Sequence, residues 1–293
     1  MCLGESEERG MKIAINFGGG VQSTALAYLH INRDDRLLRA TGGNLPEVYV
    51  FADTGDEPGS VYDSVNRTRE DLTRAGIDLA VVRKGESLSS DIEERIASGR
   101  GGGSTPPFFI KTDNIQEGIV RRSCTADWKV AVIERYTKKR FGINPRLKAH
   151  RDAPSPLVQT WLGISTDEAT RMRTSGTKWQ QLYYPLVEMR WRRGDCIRYL
   201  EEIGVTAARS ACVYCPFHSN EEWKRVQRVP EDWDRAVAFE KMLHKAHADG
   251  KKIVGLTSKP FLHRSLVPLD EIDFHAQMEL ALWGNECAGV CGV

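Results

Sequence analysis

Three consecutive glycines between an apolar strand and a helix constrain this chain more than any other feature. The strand pattern Lys12–Phe17 runs into Gly18, Gly19 and Gly20, and a helical pattern follows over Ser23–Leu29. Glycines let backbone N–H groups approach an anion, and the first turn of a helix adds free donors and partial positive charge. Ser23 and Thr24 add hydroxyl donors. No Gly-Lys-Ser/Thr follows, so this is not a Walker loop, and no acidic residue stands where a dinucleotide-binding turn reads the ribose. A tight strand-to-helix turn that holds no ligand is the plain alternative.

The alternation continues with strands at Val48–Ala52 and Leu79–Val82 around a helix at Val61–Gly76, which predicts an α/β fold with a Rossmann-like parallel sheet and right-handed crossovers. The second strand delivers Asp53, Thr54 and Gly55 to the carboxyl edge, where open α/β sheets bind their ligands. Residues Arg100–Pro107 (RGGGSTPP) read as an exposed loop and Ile119–Phe141 as a helix. Val158–Ile164 reads as a strand, Arg193–Ile203 as a helix and Ser210–His218 as a compact loop. Helices over Glu221–Val226, Glu231–Ala248 and Phe274–Trp283 complete the pattern. This gives a polar leader at 1–10, a nucleotide-binding α/β domain at 11–205 and a helical, cysteine-rich lobe at 206–293.

At 293 residues, 41% hydrophobic and 28% charged, the chain is too apolar for a disordered protein and long enough for a sizeable core. No run approaches the ~18 apolar residues of a membrane span, and the first ten residues lack the basic and apolar regions of a signal peptide. A cytoplasmic enzyme with no membrane partner is expected. The net charge of +1 hides a basic stretch: Arg121–Arg151 holds ten Lys and Arg against Asp127 and Glu134. It can meet phosphates, or it is a solvated helix face.

Seven cysteines form an odd, clustered set, which argues for metal or catalytic chemistry over a disulfide framework. Cys212-Val213-Tyr214-Cys215-Pro216 is a tight turn that can aim two thiolates at one metal. Alone, such a pair fits an iron–sulfur loop, half a zinc site or a redox disulfide. Cys124, Cys287 and Cys291 are the further candidates. Cys196 lies beside Ile197 and Leu200 in a helical pattern and reads as core. His218 reads as a metal ligand, an acid, a helix-capping residue or a solvated one.

Taken in order, these segments resemble the PP-loop ATP pyrophosphatase superfamily, and within it the phosphoadenosine-phosphosulfate (PAPS) reductase-like branch, whose fold is adenine nucleotide alpha hydrolase-like. The family loop Ser-Gly-Gly-x-Asp-Ser lines up with Gly18–Ser23, with Gly18 in place of serine and Gln22 in place of aspartate. That second departure removes a carboxylate able to help hold Mg²⁺. Asp53-Thr54-Gly55 is similar to the family's Asp-Thr-Gly. Arg122-Ser123-Cys124-Thr125 with Lys129 resembles Arg-x-Cys-Thr…Lys, and Gly163-Ile164-Ser165 through Asp167, Glu168 and Arg171 resembles a Gly-Ile-Arg-x-x-Glu-Ser-x-x-Arg stretch. Tyr184–Glu188 with Asp195 matches the segment before the Cys-x-x-Cys loop.

The resemblance implies ATP and Mg²⁺ at Gly18, Gly19, Gly20, Gln22, Ser23, Thr24, Asp53, Thr54, Gly55, Gly163, Arg122 and Arg171. It implies catalytic roles for Ser23, Asp53, Lys129 and Cys291. A [4Fe–4S] cluster on Cys124, Cys212, Cys215 and Cys287 would leave Cys291 to carry a thiol or persulfide. Cys287 and Cys291 are interchangeable in this assignment, and a structural Zn²⁺ is the alternative metal. The expected function is adenylation of an acceptor, nucleic acid included, followed by sulfur transfer from a cysteine desulfurase or another sulfur donor. Two alternatives remain: reduction of PAPS or its unphosphorylated relative to sulfite, and a non-catalytic nucleotide- and zinc-binding module.

Overall fold

The computed structural model describes residues 11–112, 115–151 and 156–274. In chain order the elements are β1 (Lys12–Asn16), α1 (Val21–Ile31), α2 (Asp35–Ala40), β2 (Val48–Asp53), α3 (Gly59–Arg74), β3 (Asp78–Arg83), α4 (Leu88–Ala97), β4 (Phe109–Thr112) and β5 (Ile115–Ile119). A π-helical turn (Thr125–Val130) leads into α5 (Ala131–Arg140), α6 (Lys148–Arg151) and β6 (Val158–Leu162). A 3₁₀ turn (Thr166–Arg171) precedes β7 (Gln180–Tyr183), α7 (Pro185–Glu188), α8 (Arg193–Glu202), α9 (Asn220–Gln227), α10 (Pro230–Ala248) and β8 (Pro260–Phe261). Among the described residues, no helix is long and apolar enough to cross a membrane.

The expected α/β architecture is present. Five strands form a sheet in the order β3-β2-β1-β6-β7, with β1 parallel to both β2 and β6 and β6 parallel to β7. Every residue of β2 is buried, as in parallel strands covered on both faces. Chain growth runs outward from β1 through β2 to β3 and resumes on the other side with β6, so the order reverses between β1 and β6. Such a reversal opens a crevice at the carboxyl ends of the strands.

Two compact units divide the chain, each made of three segments. The first comprises residues up to Phe51, Arg67–Ala80 and Ile133–Ala207; the second comprises Ala52–Asn66, Val81–Val132 and the residues from Ala208 onward. In the first, Ile15, Ala25, Leu29, Val50, Trp161 and Leu186 form the buried interior. Helix α1 is buried from Val21 to His30 and packs beside α8. In the second, an antiparallel sheet in the order β5-β4-β8 accompanies α4, α9 and α10 around Phe108, Trp128, Tyr214, Trp223, Phe239 and Phe274.

Three expectations need correction. The helix predicted from Ile119 begins only at the π-helical turn, because Ile119 pairs with Phe109 in the β4–β5 ladder. Strands β4, β5, β7 and β8 were not anticipated. The loop predicted to be exposed is so only over Arg100 and its glycines: Ser104, Thr105, Pro106 and Pro107 are buried. Ser104 Oγ donates to Asp127 Oδ2 at 2.8 Å, and the Thr105 carbonyl accepts from the amides of Ser123 and Cys124. Those bonds satisfy backbone groups that a buried loop would otherwise leave unpaired. The helix expected over Phe274–Trp283 lies beyond the described residues after its first position.

Each unit buries a neutral histidine. His30, 7% exposed, meets the Tyr49 hydroxyl at 3.2 Å; His263, 2% exposed, meets Asn220 Oδ1 at 3.0 Å. Burial lowers both from 6.5 to about 4. An unfolded chain therefore takes up protons that the fold refuses. Stability is expected to be intact above about pH 6.5 and to fall as pH drops toward 4, by up to about 1.4 kcal/mol per pH unit for each histidine. Urea melts across that range check this, with His30→Gln expected to flatten the slope.

Candidate functional site

The first unit presents the glycine turn at the carboxyl end of β1, beside the reversal. Gly19 has φ +72, a conformation that favours glycine, and Gly20 takes an extended conformation as the N-cap of α1. No side chain caps that helix, and no acidic residue lies in its first turn. Its first N–H groups and partial positive charge therefore meet no capping side chain or carboxylate of that turn. Ser23 Oγ donates to the Gly20 carbonyl at 3.1 Å and closes the turn. Thr24 is fully buried, and its hydroxyl has no hydrogen-bond partner.

Gly163, just past β6, packs on this turn. A Cβ built there would stand 3.0 Å from the Ser23 amide nitrogen. Gly163→Ala is expected to push the first turn of α1 by a few tenths of an ångström. It should cost about 1 kcal/mol or less in stability, read by thermal melts.

Four polar side chains border the same turn. Gln22 Nε2 donates to Glu168 Oε2 at 3.0 Å, and Arg171 pairs with that oxygen at 2.6 Å. Arg193 Nη1 donates to Gln22 Oε1 at 3.1 Å. The structure therefore brings together Gly18, Gly19, Gly20, Gln22, Ser23, Thr24, Gly163 and Arg171 in one unit. Arg193 was not foreseen; the first residue of a helix carries little sequence signal for such a role.

The second unit holds Asp53, Thr54 and Gly55. Asp53 is 2% exposed and fully engaged: Oδ1 accepts from the Gly55 amide at 2.8 Å and from Tyr62 Oη at 2.9 Å, and Oδ2 from Arg83 Nε at 2.7 Å. Gly55 has φ +78, and a Cβ there would lie 2.4 Å from the Glu86 carbonyl oxygen, so no side chain fits. Next in sequence, Asp56 accepts from Ser89 and from Tyr214 Oη, the latter at 2.6 Å, and its carbonyl accepts from the Val213 amide. The Asp-Thr-Gly loop and the cysteine loop are thereby tied into one framework.

That framework borders a pocket of about 420 Å³, partly open to solvent, on which Cys124, Cys212 and Cys215 converge with Thr54, Arg122 and Lys129. Leu88, Pro106, Pro107 and Pro216 supply apolar wall. The Cys215 amide donates to the Cys212 carbonyl at 3.0 Å, which sets the tight turn. Cys212 Sγ lies 3.3 Å from Thr54 Oγ1. Burial and the Glu57 carboxylate push its thiol well above the usual range, while Lys129 pulls the other way. Lys129 Nζ meets Glu57 Oε1 at 3.0 Å, with Glu57 fully buried. His218 is not solvated: its ring nitrogen lies 3.0 Å from the Cys212 carbonyl oxygen, and Ser219 and Glu222 form the capping box of α9.

Among the described residues, no three His, Cys, Asp or Glu side chains form a group fit to hold a single metal ion. The three thiols line one pocket together with Arg122 and with Lys129, whose ammonium is already paired with Glu57. Cys196, fully buried in α8, is pushed up to about 12 by burial and belongs to the core, as expected. Cys287 and Cys291 lie outside the described residues. No protein-family model matches the chain, and no curated protein matches it.

Proposed function

We propose that this chain is a PP-loop ATP pyrophosphatase that adenylates an acceptor and supports sulfur transfer. The observation that carries it is the convergence of Cys124, Cys212 and Cys215 with Arg122 and Lys129 on one pocket. The uncapped α1 turn supports the nucleotide half of the reading. In that reading an acceptor oxygen attacks the α-phosphorus of ATP, the bond to the β-phosphate breaks, and pyrophosphate leaves. A sulfur nucleophile then displaces AMP from the activated atom. Donors at the glycine turn stabilise the departing pyrophosphate, and Mg²⁺ travels with the nucleotide.

Cys124, Cys212, Cys215 and one C-terminal cysteine would hold a [4Fe–4S] cluster. When bound, it supplies an iron site for sulfur or electrons. A nucleic-acid acceptor accords with the exposed cations Arg135, Lys139 and Arg140 on α5. Cys291 or Cys287 would be charged as a persulfide by a cysteine desulfurase or another sulfur donor; its outer sulfur displaces AMP, and a thiol reductant then cleaves the S–S bond to the acceptor.

With α-labelled ATP, wild-type protein given a nucleic-acid acceptor is expected to release pyrophosphate and AMP. Ser23→Ala should lower the rate at least about tenfold, because the hydroxyl that closes the turn is gone. Robust sulfite release from PAPS or its unphosphorylated relative would replace this reading with reduction. Unchanged turnover in Ser23→Ala would remove the turn from the mechanism.

A further inference from the structure

The glycine turn is neutral where the loop it resembles carries a carboxylate, and the structure shows what the neutral residue does. Gln22 is 8% exposed and uses both ends of its amide, donating to Glu168 at 3.0 Å and accepting from Arg193 at 3.1 Å. Glu168 is balanced by Arg171 at 2.6 Å. The Arg193 guanidinium is held by the Gln22 amide oxygen, while the Asp167 carboxylate accepts from the Arg193 backbone N–H at 3.1 Å rather than from the guanidinium. Arg193 is the first residue of α8, and through Gln22 its guanidinium reaches the first turn of α1, a helix that no side chain caps. Thr24, in the first turn of α1, keeps a fully buried hydroxyl with no partner.

We infer that Arg193, presented by Gln22, is an anion-binding residue of the glycine turn, and that a phosphoanion binds there without needing Mg²⁺. The inference rests on the phosphate reading of the turn given above. An aspartate at position 22 would pair with Arg193, cancel its charge and face the anion with a negative group. Binding would then require a cation to bridge the two. With glutamine, the oriented guanidinium and the first amides of α1 neutralise and bind the anion themselves. Mg²⁺ remains free to serve the phosphoryl chemistry, carried on the nucleotide.

The test is calorimetric titration of the full chain with inorganic pyrophosphate, in EDTA and in excess Mg²⁺. Wild-type affinity is expected to differ by less than about threefold between the two conditions. Arg193→Met should weaken binding at least about tenfold in both, and Gln22→Asp should lose about tenfold in EDTA and recover with Mg²⁺. Near-UV circular dichroism confirms that the variants are folded, and Gln22→Asp decides the matter if Arg193→Met is not. Wild-type binding that collapses in EDTA but returns with Mg²⁺ overturns the inference and leaves the phosphate turn standing. No pyrophosphate binding in either condition overturns both. Wild-type affinity in a folded Arg193→Met overturns the role of Arg193.

Discussion

Protein purified without oxygen is expected to carry about four irons and four acid-labile sulfides per chain, with broad visible absorbance, and to lose them on Cys124→Ser, Cys212→Ser or Cys215→Ser. The three thiols share one pocket, and the backbone around them is fixed independently of any metal by Asp56, Tyr214 and the α9 capping box. A serine oxygen in place of one thiolate therefore removes a ligand without dismantling the loop. Cys196→Ser is the control: its sulfur is buried in α8, and iron content should not change. Of Cys287→Ser and Cys291→Ser, one should lose the iron and the other keep it. Stoichiometric zinc in a colourless protein would make the cysteines structural and leave only the ATP-cleaving half of the proposal.

The first half of the fold was legible because local signals agree there: an apolar strand, a glycine turn and a buried helix follow one another within twenty residues of Lys12. The convergence of Cys124 with the Cys212 loop was also anticipated, from residue type and order. Long-range partners were not legible. Glu57 meets Lys129 across 72 positions, and the only hint was a second carboxylate after Asp-Thr-Gly. Ser104–Pro107 looked like open loop because Gly, Ser and Pro dominate it, yet Ser123, Cys124 and Asp127 supply the bonds that let it be buried. Strand β8 is two residues long, too short for any periodicity to reveal. Arg193 escaped because its importance depends on Gln22, which is 171 positions away.

The largest effect on stability should come from Lys129→Met. Lys129 is 9% exposed at its side chain and Glu57 0%, and they meet at 3.0 Å. Removing the cation leaves a buried carboxylate without its main counter-charge, at a cost of about 3–5 kcal/mol in unfolding free energy by urea titration. The double variant Glu57→Gln, Lys129→Met removes both charges and should recover to within about 1 kcal/mol of wild type, since a buried pair gains little net stability over neutral packing. That recovery separates structure from chemistry. Lys129 also lines the pocket of the three cysteines, and under the proposed function an ammonium there can stabilise an anionic acceptor. The recovered double variant is therefore expected to stay at least about a hundredfold slower in pyrophosphate release. If stability and turnover both return, Lys129 serves only to neutralise Glu57.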